Sequence, residues 1–153
     1  VLGIEKELFT VATGEVIALT DVNDPVFSQK MMGDGFAVIP ATGEVTAPLS
    51  GKIVSVFPTK HAIGMQTAEG AEVLIHMGLD TVQMSQPAFE ILVSEGQEVV
   101  AGTTIAQMNL DAIKNEGKET TIIVVFTDDK VNGLTINKLG DTERGTVIGK
   151  INL

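Results

Sequence analysis

Sixteen glycines cut this chain of 153 residues into short segments, and between them lie apolar, β-branched runs at 36–39, 52–57, 71–77, 103–108, 122–126 and 147–151. Such runs are shorter than an average helix and match strands in length, and β-branched side chains pack well on a pleated surface. Many short strands with frequent turn signals predict an all-β fold, an antiparallel sandwich or flattened barrel. Helix is expected only as two short surface turns, 87–93 and 111–116, the second with Asp111 able to cap it and Gly117 able to stop it. The segment Ala12-Thr-Gly-Glu-Val16 returns as Ala41-Thr-Gly-Glu-Val45, each copy a turn leading into a strand, which points to a duplicated β motif.

The length suits one domain with a real core, 1–153. The first residue is Val1, so the expectation is a processed chain or a domain excised from a larger protein. The longest apolar runs are far too short to span a bilayer, cysteine is absent, and no signal peptide opens the sequence; a cytoplasmic setting is expected. A net charge of −10 opposes association with phosphate backbones, and with no Trp or Tyr there are few platforms for base stacking. Nucleic acid is therefore not the expected partner, whereas a basic protein would meet this surface quickly.

The chemistry is concentrated in two histidines, His61 and His76, each set in an apolar stretch that reads as a strand. Alternation puts Val73, Ile75, Met77 and Leu79 on one apolar face and Glu72, Leu74 and His76 on the other, so His76 points away from the main core. If 57–65 is one regular strand, Phe57, Thr59, His61, Ile63 and Met65 share a face, and the Thr59 hydroxyl reaches the His61 ring and fixes its tautomer. Pro58 and Gly64 bracket that histidine and argue for an edge or a bulge.

Other chemistries fail on spacing. Gly145-Thr-Val-Ile-Gly149-Lys150-Ile151 has one residue too few for a P-loop and ends in the wrong side chain. Gly33-Asp-Gly35 lacks the third glycine of a dinucleotide site and reads as a tight turn; Asp21-Val-Asn23-Asp24-Pro25 lacks the glycine and glutamate of a calcium loop. There is no Gly-x-Ser-x-Gly for a serine hydrolase. A zinc hydrolase using His61, His76 and a carboxylate is kept as an alternative, though no His-x-His or His-Glu-x-x-His is present. The run from Ser94 to Ile105 is similar to the turn-and-strand pattern of biotinyl and lipoyl carrier domains, without their modified lysine, so a non-catalytic regulatory or carrier module is a second alternative.

Four segments, Gly33-Asp-Gly-Phe-Ala-Val-Ile-Pro40, Ala47-Pro-Leu-Ser-Gly-Lys-Ile53, Phe57-Pro-Thr-Lys-His61-Ala62 and Leu74-Ile-His-Met-Gly-Leu-Asp-Thr-Val82, resemble the glucose-type IIA domain of the bacterial sugar phosphotransferase system. The resemblance runs from about Phe9 to the C-terminus. It implies a phosphocarrier that accepts a phosphoryl group from the carrier protein HPr on His76 and passes it to a cysteine of a IIB domain, with no cofactor and no metal. In that family the second ring nitrogen of the acceptor is held by a backbone carbonyl, which maps to Gly78. His61 would assist by hydrogen bonding the phosphoryl oxygens, oriented by Thr59. Two rim aspartates map to Asp24 and Asp80. We expect them to repel the phosphoryl group and attract HPr, so Asp80→Asn should lengthen the phosphorylated lifetime; an unchanged lifetime would sink that idea. The family's apolar partner ring maps to Pro25, Val26, Phe27, Met31, Met32, Phe57, Leu74 and Val82. This sequence departs from the family pattern at Asn23, where proline more often precedes the aspartate. Regulated transporters or enzymes are further partners such a domain can have, and a fused permease would hold it at the inner face of the membrane.

Overall fold

The computed structural model describes residues 5–30, 33–79, 81, 88–127, 131 and 133–153. Fourteen strands, two short α-helices and one 3-10 turn (Leu19–Asp21) account for the described elements. An eight-stranded antiparallel sheet is built, from one edge to the other, of β13 (Gly140–Thr142), β2 (Gly14–Ala18), β3 (Asp34–Pro40), β11 (Glu119–Phe126), β7 (Glu72–Leu79), β6 (Ala62–Gln66), β5 (Gly51–Val56) and β9 (Glu98–Val99). Two three-stranded sheets complete it: β1 (Glu5–Phe9), β14 (Val147–Asn152) and β12 (Gly133–Ile136), and β4 (Glu44–Thr46), β10 (Thr104–Met108) and β8 (Phe89–Ile91). The antiparallel β-sandwich expected from the glycine pattern is the observed architecture, and each of the six apolar runs falls on a strand except for the end residues Phe57, Ala71 and Thr103.

The large core joins the three sheets. Leu8 and Ile148 from one small sheet and Val45 and Ile105 from the other pack with Val38, Ile53, Ile63, Ile75, Met77, Ile122 and Val124 of the large one. A smaller cluster forms on the opposite face of the large sheet from Leu19, Val22, Phe27, Ala37, Leu79, Ile123 and Val125. Strand β11 is therefore buried on both faces, which is why Ile122 to Phe126 reads as an unbroken apolar run instead of alternating.

Four expectations need correction. The stretch 57–65 is not one strand: β5 ends at Val56, a turn follows, and β6 begins at Ala62. The turn is closed by Lys60 N–H donating to the Phe57 carbonyl at 2.7 Å, and Lys60 takes φ +62° because a two-strand reversal with so few residues needs a left-handed position. Leu79 does not share the face of Val73, Ile75 and Met77 but joins the smaller cluster, because Gly78 at φ +82° and a register shift opposite it, between Glu119 and Ile122, turn the strand over. The segment 87–93 is not a helix; Phe89–Ile91 pair with β10, and packing against the core overrides the weak local helical tendency. The helix near 111–116 is α2 (Leu110–Asn115), with Ile113 buried in the core; Asn109 caps it by accepting the Ala112 N–H at 3.0 Å, so Asp111 lies in its first turn instead.

The two Ala-Thr-Gly-Glu-Val copies each lead into a strand, β2 and β4, but in different sheets. They touch through backbone: Thr46 N–H donates to the Val11 carbonyl at 2.8 Å and Ala41 N–H to Thr13 at 2.7 Å.

Candidate functional site

Directly opposed residues of an antiparallel sheet share a face, so the pairings Ala62↔His76, His76↔Ile123, Ile123↔Ala37 and Ala37↔Ile17 define one row across the large sheet. His76 sits in this row on the face of the smaller cluster, as strand alternation predicted. Its neighbours there are apolar, and its ring is half-buried. Leu74, two residues earlier, packs against the same cluster.

A short helix covers the row from the side. In α1 (Pro25–Ser28), Asp24 is the N-cap, accepting the Val26 N–H at 2.9 Å, and Pro25 takes the first helical position, where its missing N–H costs nothing. Such a cap contributes about 1 kcal/mol. The helix turns Phe27 inward, where it is buried and meets the His76 ring with centroids 5.2 Å apart, and leaves Val26 42% exposed at the rim. Burial of one phenylalanine contributes roughly 1.5–3 kcal/mol, so a four-residue helix with little intrinsic stability is held by this contact. The segment is further tethered by Asn23 Nδ2, which donates to Glu119 Oε2 at 3.0 Å.

His61 enters from the turn between β5 and β6. Its ring lies 4.9 Å from that of His76, centroid to centroid, and nearly perpendicular to it, at 78°. Phe57 closes the other side, its ring edge-on to His61 at 5.6 Å and its side chain 37% exposed beside the site. The His61 carbonyl accepts the Met77 N–H at 2.7 Å, so the turn is bonded directly to the strand that carries His76. His61 is only 7% exposed, and this burial holds its imidazole below the ordinary histidine range by penalising the charged form.

Each ring is held at Nδ1. His76 Nδ1 lies 2.8 Å from the Gly78 carbonyl oxygen. A carbonyl only accepts, so Nδ1 carries the hydrogen and Nε2 the lone pair. His61 Nδ1 is bonded to the Thr59 hydroxyl, as expected, although the contact is made across a turn and not along a strand. A hydroxyl donates or accepts, which leaves both tautomers of His61 within reach.

The structure thus brings together His76, His61, Thr59, Gly78, Phe27 and Phe57, with Asp24, Pro25 and Val26 carried on α1 and Leu74 on β7. Met31, Met32, Asp80 and Val82 lie outside the described residues. Sequence reasoning passed over Thr81, whose hydroxyl donates to the Met77 carbonyl at 2.6 Å and whose methyl packs on Gly78. The signal was available as a threonine three residues after a glycine that must turn. Among the described residues no three of His, Cys, Asp or Glu come together as a metal's ligands, and no helix is long and apolar enough to cross a membrane.

Residues 6–131 match the family model described as phosphoenolpyruvate-dependent sugar phosphotransferase system, EIIA 1. The chain is 48% identical over 151 residues to the glucose-specific EIICBA component of Streptococcus pneumoniae, covering 98% of this chain and 21% of that protein. It is 46% identical over 127 residues to a glucose-specific EIIA component of Staphylococcus aureus, covering 82% of this chain and 76% of that one. The solved structure of glucose permease IIA from Mycoplasma capricolum superposes with a TM-score of 0.90 at 37% identity, over 96% of both chains.

Proposed function

Since this chain belongs to the EIIA 1 family of the phosphoenolpyruvate-dependent sugar phosphotransferase system, and so to a phosphotransferase component of sugar uptake, we propose that His76 is its phosphoryl acceptor and His61 the group that stabilises the transfer. Nε2 of His76 holds a lone pair aimed away from the Gly78 carbonyl. It attacks the phosphorus of a phosphohistidine on HPr; the new P–N bond forms at Nε2 as the donor's P–N bond breaks, and the donor imidazole leaves. In the second half a cysteine thiolate of a IIB domain attacks the same phosphorus and His76 leaves. Both steps exchange one activated bond for another, so neither ATP nor a metal is needed.

In-line transfer spreads negative charge over the three phosphoryl oxygens, and a preorganised donor is worth most there. His61 supplies one if Thr59 donates its hydroxyl hydrogen to Nδ1, since Nε2 then carries the N–H. The lowered pKa suits that role: a neutral ring donates one hydrogen bond without trapping the phosphoryl group as a full cation would. The exposed Val26 and Phe57, with Pro25 and Leu74, form the apolar rim on which HPr and then IIB would dock, with Asp24 giving it negative charge.

The chain spans about a fifth of the length of the EIICBA relative. Similarity to that fused protein runs over more of this chain than similarity to the separate EIIA component does. The reading that follows is a single IIA unit, 1–153, working on the cytoplasmic side of a membrane permease, with the sugar chosen by the permease and not by this unit.

The observation that carries the relay is the pair of rings 4.9 Å apart, one of them with Nδ1 tied to a carbonyl. The test is intact-protein mass after incubation with phosphoenolpyruvate, Enzyme I and HPr. One acid-labile phosphoryl group, absent in His76→Ala, is expected. No adduct in the presence of demonstrably active HPr would overturn the proposal.

A further inference from the structure

We propose that Thr81 is a positioning residue for His76, acting through Gly78 to hold the histidine in the tautomer that leaves Nε2 nucleophilic. This deepens the phosphocarrier reading and rests on His76 being the acceptor.

Met77 is bonded at both ends: its N–H donates to the His61 carbonyl at 2.7 Å, and its carbonyl accepts the Thr81 hydroxyl at 2.6 Å. The first bond fixes the His76–Met77 peptide and the second the Met77–Gly78 peptide. From that fixed unit Gly78 turns at φ +82°, which swings its own carbonyl back toward the ring two residues earlier, 2.8 Å from His76 Nδ1. The space into which any Cβ at position 78 would project is filled by the Thr81 methyl, with the Glu119 carbonyl 2.9 Å from that point. Thr81 is 2% exposed, so neither its hydroxyl nor its methyl answers to solvent.

The two halves of the side chain do separate work. The methyl takes up the room beside Gly78, and the hydroxyl anchors the carbonyl that precedes it. Valine would keep the shape and lose the anchor; serine would keep the anchor and lose the methyl. With the anchor gone, the peptide is free to rotate, the Gly78 carbonyl drifts from Nδ1, and the preference for hydrogen at Nδ1 weakens. Protonation at Nε2 removes the lone pair that attacks phosphorus.

The measurement is the ¹⁵N spectrum of the His76 imidazole in the parent, Thr81→Val and Thr81→Ser, together with the rate of phosphoryl transfer from phospho-HPr. The expected result is a parent protonated at Nδ1, a Thr81→Val chain with a substantial share of Nε2–H and a turnover rate lowered ~10-fold at unchanged half-saturation by HPr, the scale on which an outer partner of a working histidine acts. Thr81→Ser should restore both. A folded Thr81→Val chain with the parent's tautomer and rate would overturn the proposal, even if its melting temperature fell. Should Thr81→Val not fold, Thr81→Ser and Thr81→Ala decide: the same tautomer in both overturns it, and loss only in alanine supports it. If the parent takes no phosphoryl group on His76, the relay fails, while the tautomer comparison still stands or falls by itself.

Discussion

The two histidines differ less in their neighbours than in what holds them. His76 stands on a regular strand, half-buried, with Nδ1 against a backbone carbonyl. His61 hangs from a turn, almost wholly buried, with Nδ1 against a side-chain hydroxyl. A carbonyl imposes one tautomer, whereas a hydroxyl permits two. The first arrangement suits a nucleophile that must always present the same lone pair. The second suits a neutral hydrogen-bond donor that follows the phosphoryl oxygens. In the proposed relay the division of labour between two identical side chains follows from the hydrogen-bond partner behind each ring.

The sharpest way to break that comparison is to remove each ring in turn. His76→Gln should abolish the acid-labile adduct altogether. His61→Gln should still take up phosphate slowly, while onward transfer to IIB falls by ~100-fold or more, the usual effect of deleting a preorganised donor; quenched-flow transfer assays distinguish the two. Equal loss in both variants would mean that the rings act as one unit.

Next in size is Gly78→Ala. The added Cβ meets the Thr81 methyl and the Glu119 carbonyl in a left-handed backbone that alanine resists. We expect a loss of about 2 kcal/mol or more by denaturant unfolding, and with it the fixed tautomer of His76. Thr59→Val should be milder, slowing transfer ~10-fold with little change in stability, because His61 keeps its packing but loses the partner that selects its tautomer. If Thr59→Val and Thr59→Ser behave alike, the hydroxyl has no such role.

The smallest effect is on the pH dependence of stability. The folded pKa of His61 is lowered by burial, so between that value and the free imidazole range the unfolded chain binds more protons than the folded one. His61 therefore costs nothing above about pH 6.5, and its contribution turns destabilising as pH falls below that range. Unfolding free energies from pH 8 to 5 should decline less steeply in His61→Gln than in the parent. Parallel curves would mean that folding does not lower the His61 pKa.

Much of this was readable in the sequence because strands obey a two-residue period. The apolar runs located six strands, the glycines located the turns, and alternation placed Leu74 and His76 on the face opposite the main core. Alternation failed at Leu79 because Gly78 ends the period, and nothing in a list of side chains says where a left-handed glycine will reverse it. It failed again at 57–65, where the expected Thr59 to His61 contact forms for a different reason, a turn closed by Lys60. Helix α1 was invisible because four residues carry no period; Asp24 and Pro25 were legible as a cap and a first position only once Phe27 had somewhere to pack. Phe89–Ile91 became a strand because β10 was beside it.

By itself the sequence determined the class of fold and singled out the two histidines as candidates, because both readings depend on residue type and local period. Tertiary structure alone decided that His61 and His76 stand 4.9 Å apart and that the Thr81 hydroxyl lies behind Gly78. The first relation joins a turn to a strand separated from it along the chain, and the second depends on where Gly78 reverses its strand, so hydrogen bonding and packing set both.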